Sequence, residues 1–154
     1  MVVSIRLPKR EDTKEILALE HATHKELGSD LSMNGEDLLE WVGRGRTRLY
    51  IAESNSVLVG YLMVDASNDE ETVVHRLTVA AKVRRQGIGL SLLERAKIVA
   101  KKAKAKTLAI YAYEDDAEMH KFLRRYELKP EVIRRHYGAN SAWKFTMRLE
   151  NIGR

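Results

Sequence analysis

The chain contains no cysteine. Disulfides, cysteine-ligated zinc and a cysteine nucleophile are therefore excluded, and with the last goes the usual covalent route for acyl transfer. No apolar run approaches the roughly 20 residues needed to span a bilayer. The first residues, MVVSIRLPKRED, are a short apolar stretch followed by charges, the reverse of a secretory leader's order. The expected location is the cytoplasm, with no membrane partner. Internal repeats and low-complexity tracts are also missing. Aromatic side chains are few, at 6%, and are not interleaved with the basic residues, which argues against a nucleic-acid-binding surface despite a pI near 9.5.

What is present is the composition of an ordinary globular domain. Its 154 residues, 44% of them apolar and 32% charged, suffice for one domain, spanning 1–154, with a real core. The net charge of +5 invites an anionic partner without naming it. Alternation predicts a strand over Val2 to Leu7, and helical spacing predicts a helix from Thr13 that Gly28 stops. Asn34 is a suitable N-cap for a second helix, closed by Gly43. Thr47 to Glu53 and Val57 to Val64 form a hairpin pattern, followed by a strand over Thr72 to Ala80. A long helix from Gly87 or Ile88 carries an apolar face through Leu92, Leu93, Ala96 and Ala100. A strand over Leu108 to Tyr113 follows, then a helix capped by Asp115 or Asp116 through Met119, Phe122 and Leu123. Two strands close the chain around Gly138-Ala139-Asn140. The order β-α-α-β-β-β-α-β-α-β-β implies an α/β (α+β) fold, a mixed sheet with helices on its faces.

One segment carries chemistry. Leu77 to Ala80 reads as a buried strand. Lys82, Arg84 and Arg85 make a basic turn, and Gly87-Ile88-Gly89 opens a helix. Helix N-termini have unpaired N–H groups and a partial positive charge, and glycines let a bulky anion approach them. The segment is therefore an anion site of the phosphate-gripping kind. It is neither a Walker loop, which needs Gly-Lys-Ser/Thr, nor the dinucleotide fingerprint, whose last glycine would fall at Leu92.

Arg84-Arg85-Gln86-Gly87-Ile88-Gly89 matches Arg/Gln-x-x-Gly-x-Gly/Ala, and here the chain resembles the GNAT superfamily of N-acetyltransferases. The strand Leu77-Thr78-Val79, the middle strand at Gly60-Tyr61-Leu62 and the order of elements match as well, so the resemblance covers nearly all residues. It implies the acyl-CoA N-acyltransferase fold, with a mostly antiparallel central sheet and helices on both faces. It further implies acetyl-CoA as cosubstrate, no metal, and transfer of an acetyl group to a primary amine. Backbone amides of Gln86, Gly87, Ile88, Gly89 and Leu90 would hold the pyrophosphate, and Arg84, Arg85 or Lys82 would reach the nucleotide phosphates. Leu77, Thr78 and Val79 would run beside the pantetheine, their N–H groups polarising the thioester carbonyl. Asp116, Met119 and Phe122 would complete the coenzyme's surroundings.

The resemblance departs from pattern at the catalytic positions. Aligning Phe122 to Pro130 with the family's Leu-Tyr-Glu-Lys-Leu-Gly-Phe-Lys-Pro puts Leu123 at the usual tyrosine, Glu127 at the glycine and Asp116 at the asparagine. Tyr126, three residues on, is the candidate acid for the departing thiolate. The family's strand glutamate has no counterpart within Thr72 to Ala80. His75, by parity on the face of Leu77 and Val79, is the candidate base, with Glu71 at the strand's start behind it. Without cysteine, direct attack of the amine in a ternary complex is the simpler route.

The acceptor stays open between a small amine and a peptide N-terminus or lysine. Asp30, Glu36 and Asp37 favour a cation, and Arg134 and Arg135 favour a carboxylate. A CoA-binding sensor with lost catalysis is the rival reading. A homodimer, paired across an exposed strand edge at Trp143 to Leu149, is a further expectation.

Overall fold

The structure, a computed structural model, describes residues 2–26, 33–42, 44–137 and 140–149; for 132–137 and 140 the backbone alone is described. The stops expected at Gly28 and Gly43, the turn at Gly138-Ala139 and the acidic Asp30 lie outside these residues, as do the side chains of Arg134 and Arg135.

Eleven main elements follow the expected order: β1 (Ser4–Arg6), α1 (Thr13–Glu26), α2 (Gly35–Val42), β2 (Thr47–Ser54), β3 (Val57–Asp65), β4 (Glu71–Val79), α3 (Ile88–Lys102), β5 (Thr107–Tyr113), α4 (Ala117–Arg125), β6 (Lys129–Tyr137) and β7 (Asn140–Arg148). The strands form one seven-stranded sheet in the order β1-β2-β3-β4-β5-β7-β6. Every pairing is antiparallel except β4 with β5. That pair is parallel because α3 carries the chain back across one face between them.

The sheet has two cores. On one face, Leu92, Leu93, Ala96 and Ala100 of α3 and Leu123 of α4 pack with Leu62, Val74, Leu108 and Phe145. On the other face, Ile16 of α1 and Leu38 and Trp41 of α2 pack with Leu49, Ile51, Tyr61 and Met63. Asn34 caps α2 as its sequence position suggests: its Oδ1 accepts the Asp37 N–H at 2.9 Å, and Asp37 Oδ2 accepts the Asn34 N–H at 3.1 Å. Asp37 is thereby engaged in capping.

One expectation is overturned. Trp143 to Leu149 is not a sheet edge, because β7 folds back from the β6–β7 hairpin into the gap beside β5 and pairs on both sides. The edges are β1 and β6. Pro130, which lacks an N–H, is tolerated because β6 is an edge strand.

Candidate active site

Two features of β4 make the site. The first is a bulge. Met63 pairs with Arg76 and Val64 with Val74, so His75 is an additional residue on β4. Val74 and Leu77, three positions apart, consequently both enter the α3 core. His75 turns instead to the α2 side, where its ring lies edge-on to Trp41 with centroids 4.8 Å apart. Arg76 follows it, its Nε 3.3 Å from Glu20 of α1. The shared face of His75 with Leu77 and Val79 expected from parity is therefore wrong: one inserted residue reverses the alternation.

The second feature is a wedge. β4 and β5 pair only over Glu71–Val74 and Thr107–Ile110. Beyond that, β4 stays with β3 as far as Val79 and β5 stays with β7 as far as Tyr113. The closed end is pinned by Glu71, whose carboxylate meets Lys144 Nζ at 3.0 Å and accepts from the Thr107 hydroxyl at 3.2 Å. Burial works to lower the Lys144 pKa, but the bond to Glu71 together with the charges of Glu71, Tyr111 and Glu131 outweighs it and the ammonium is held charged. Glu71, expected as a second candidate base, thus sits at the apex of the wedge and lines none of the cavities described below.

Along the open edge of β4, the amides divide by parity. The Ala80 N–H bonds back to Val59 of β3 at 2.8 Å, so Leu77 and Val79 direct theirs the other way, into the wedge. The Val79 carbonyl on that side accepts from Arg84 Nε at 3.1 Å, tying the basic turn to the strand.

Arg85 and Gly87 then take positive φ, 65° and 86°, and Gly87 is the N-cap of α3. Here glycine is required by conformation, since its missing Cβ would meet nothing. Gly89 is favoured by space: a Cβ there would lie 3.1 Å from the Phe122 ring, which would have to shift. The first-turn amides of Ile88, Gly89 and Leu90 lack helical acceptors, and Gly89 and Leu90 line a cleft of about 590 Å³. Leu77, Thr78, Val79, Arg84, Arg85, Gly87, Gly89, Leu90, Asp116, Met119 and Phe122 all line this cleft, as does Tyr126. Gln86 and Ile88 do not; Ile88 is core, so any contact it makes to a bound group is through its backbone. Arg84, Arg85, Lys121 and Arg125 outnumber Glu118 and Asp116 on its walls, giving a cationic site.

A cavity of about 110 Å³ opens on the α1 side of the wedge and shares Thr23, Leu77, Thr78 and Asp116 with the long cleft. A third, of about 250 Å³ beneath α2, adjoins it through His75 and Arg76. The three cavities thus adjoin in series from the glycine loop to α2.

The floor of the small cavity was not legible as a site. Glu20 is fully buried and accepts from the Tyr61 hydroxyl, from the Met33 N–H at 2.9 Å and from Arg76 Nε, with His24 Nε2 at 3.6 Å. Burial acts to raise its pKa, but His24, Arg76, Tyr61 and the Met33 amide outweigh this and bring it down to about 2. The same arrangement drives Tyr61 upward, by burial first and then by the Glu20 charge. The signal for the cluster lay in α1, where Ile16, Glu20 and His24 recur every four residues on the inward face.

On α4, Leu123 is fully buried. Tyr126 follows the helix, its ring against Phe122 with centroids 5.0 Å apart. Glu127 takes φ 71°, a left-handed geometry that normally favours glycine.

Compared with known proteins, the sequence pattern of the Acetyltransferase (GNAT) family matches residues 13–127. The chain belongs to the GNAT acetyltransferase family. It is an acetyltransferase by that membership, and the glycine loop lies inside the matched span. Among curated proteins no sequence match is found. Solved structures agree in fold. Ard1 from Thermoplasma volcanium superposes with TM-score 0.86 at 12% identity, covering 97% of this chain and 99% of that one. The PaiA N-acetyltransferase from Thermoplasma acidophilum, in complex with coenzyme A, gives 0.82 at 17% identity, with 97% and 100% covered. A GNAT family acetyltransferase from Elizabethkingia anophelis with acetyl-CoA bound gives 0.68 at 19% identity, with 96% and 98% covered.

Proposed function

We propose that this GNAT protein transfers an acetyl group from acetyl-CoA to a primary amine by direct attack in a ternary complex. The observation that carries the reading is the wedge. It joins the cationic cleft to a separate cavity through a short shared wall, so donor and acceptor can enter from opposite faces of the sheet and meet there. The loop amides and Arg84 would take the phosphates. The pantetheine would lie along Leu77 to Val79, with the Leu77 or Val79 N–H directed at the thioester oxygen as charge develops. Acetyl-CoA supplies the activated acyl group; the residues hold it and exclude water.

His75, placed between the two cavities on the α1–α2 side, fits acceptor contact better than proton abstraction. His75→Ala is expected to raise KM for the amine with a small change in kcat. Tyr126, on the wall of the long cleft, is the proposed proton donor to the departing sulfur.

Calorimetry with acetyl-CoA and thiol release with a panel of amines test the reading. The panel comprises peptides with free N-termini, an N-blocked lysine peptide, polyamines and simple alkylamines. Tight binding with amine-dependent thiol release is expected; no binding at sub-millimolar concentration overturns it. The buried Leu123 at the tyrosine position favours a second reading, a CoA-binding sensor, which predicts binding without thiol release.

A further inference from the structure

We propose that Asp116 is the general base that deprotonates the acceptor amine. The inference rests on the acetyl-transfer reading above. Asp116 is an ionisable cap of α4, and its position gives that group chemical meaning. It is one of four residues that line both the long cleft and the small cavity, with Thr23, Leu77 and Thr78. It is the sole carboxylate among those four. The point where the two spaces meet is where an amine nitrogen and a thioester carbon must come together.

The local structure fixes the carboxylate. Its Oδ1 accepts the Met119 N–H at 3.1 Å, capping α4, and its own N–H donates to the Tyr113 carbonyl at 3.0 Å. The Met119 amide is the one hydrogen-bond donor to this carboxylate among the described residues. Arg84 of the loop and His120 and Glu118 of α4 act on it electrostatically, and His24 of α1, Arg76 of β4 and Tyr113 of β5 share its cavity. Burial raises its pKa, opposed by the Met119 amide and then by Arg84. A carboxylate moved upward is a better proton acceptor near neutrality.

The Asp116 carboxylate takes one proton from the ammonium. The freed nitrogen lone pair attacks the thioester carbon, the C–N bond forms, and the carbonyl pair moves to oxygen. As the carbonyl re-forms, the C–S bond breaks and sulfur leaves with its electron pair. The sulfur takes up one proton, the nitrogen loses its second to water, and Asp116 returns its proton to solvent.

The test is Asp116→Asn. Asparagine caps helices as well as aspartate, so α4 is retained, and circular dichroism with thermal melting verifies the fold. With a short peptide bearing a free α-amine and with putrescine as probes, kcat is expected to fall about a hundredfold or more. The fall in kcat is read at saturating acetyl-CoA, with the variant's affinity for it measured by calorimetry. The variant's rate should climb with pH as the amine loses its proton unaided. A wild-type rate and pH profile in Asp116→Asn overturns the proposal, as does a rise in amine KM at unchanged kcat, which would make Asp116 a binding residue. Wild-type protein that binds no acetyl-CoA, or releases no thiol with any amine, overturns the acetyl-transfer reading and this proposal with it. A variant that binds acetyl-CoA normally yet transfers at full rate overturns this proposal alone.

Discussion

Glu20 shows how a single side chain can be both buried and charged. Its ionisation is favoured by four partners at once, so its folded pKa lies well below the ordinary 4.5, at about 2. A depressed carboxylate contributes stability that is fully present above its unfolded pKa. That contribution is lost as pH falls through the folded value, because the unfolded state then binds the extra proton. Stability is therefore expected to decline between about 4.5 and about 2, and Glu20→Gln should flatten that part of a stability-against-pH curve. Glu20→Ala leaves Arg76 without its partner and should cost about 3–5 kcal/mol in denaturant unfolding. Gly60 makes a steric prediction. A Cβ there would lie 2.6 Å from the Thr78 carbonyl oxygen, a backbone atom that cannot step aside. Gly60→Ala should cost about 1–3 kcal/mol, read as a lowered melting temperature. Gly89→Ala differs, because its neighbour is a ring that can tilt. The displaced Phe122 would encroach on the cleft, so KM for acetyl-CoA should rise several-fold while the melting temperature moves little.

At the scale of the element, β4 carries the most consequence. Deleting His75 removes the bulge and restores strict alternation, with Val74 and Leu77 kept on the α3 face and Arg76 kept toward α1, because their partners Val64, Leu62 and Met63 already alternate. Such a protein is expected to keep a cooperative melt and acetyl-CoA binding, read by calorimetry, and to lose the His75 wall of the two cavities on the α1–α2 side, read as a raised KM for the amine. The bulge also marks the limit of what the sequence discloses. The glycine loop was legible because its chemistry is local: strand, basic turn, glycines and helix are contiguous. The α3 stripe and the capping by Asn34 and Asp116 were legible for the same reason. The facing of His75 was not, because a register slip belongs to two strands and no pattern in one of them reveals it. The interior place of β7 was not either, since hairpin order in space is decided by which strand offers an open edge. Glu71 looked like a strand-end acid; its partner Lys144 is distant in sequence, and only the sheet brings them together.

Across the whole molecule, the charge excess of +5 is not spread evenly, for Arg84, Arg85, Lys121 and Arg125 gather at one cleft. Partly exposed charges are screened by salt, so affinity for acetyl-CoA should weaken as ionic strength rises. Arg84→Ala should lower that affinity by about tenfold and reduce its salt dependence, both measurable by calorimetry. Among the described residues no helix is long and apolar enough to cross a membrane.

The four-residue ladder between β4 and β5 has a mechanical consequence. The sheet is two panels, β1 to β4 and β5, β7 and β6, hinged along a short seam with the Glu71–Lys144 pair as its pin. A pantetheine chain laid in the gap would act as the missing rungs, bonding to one panel while packing against the other. The cosubstrate would then be a brace as well as a reactant. Amide hydrogen exchange should slow on both lips of the gap, at Leu77 to Val79 and at Tyr111 to Tyr113, when acetyl-CoA is added. Exchange in the β1–β2 pairing, remote from the seam, should be unchanged.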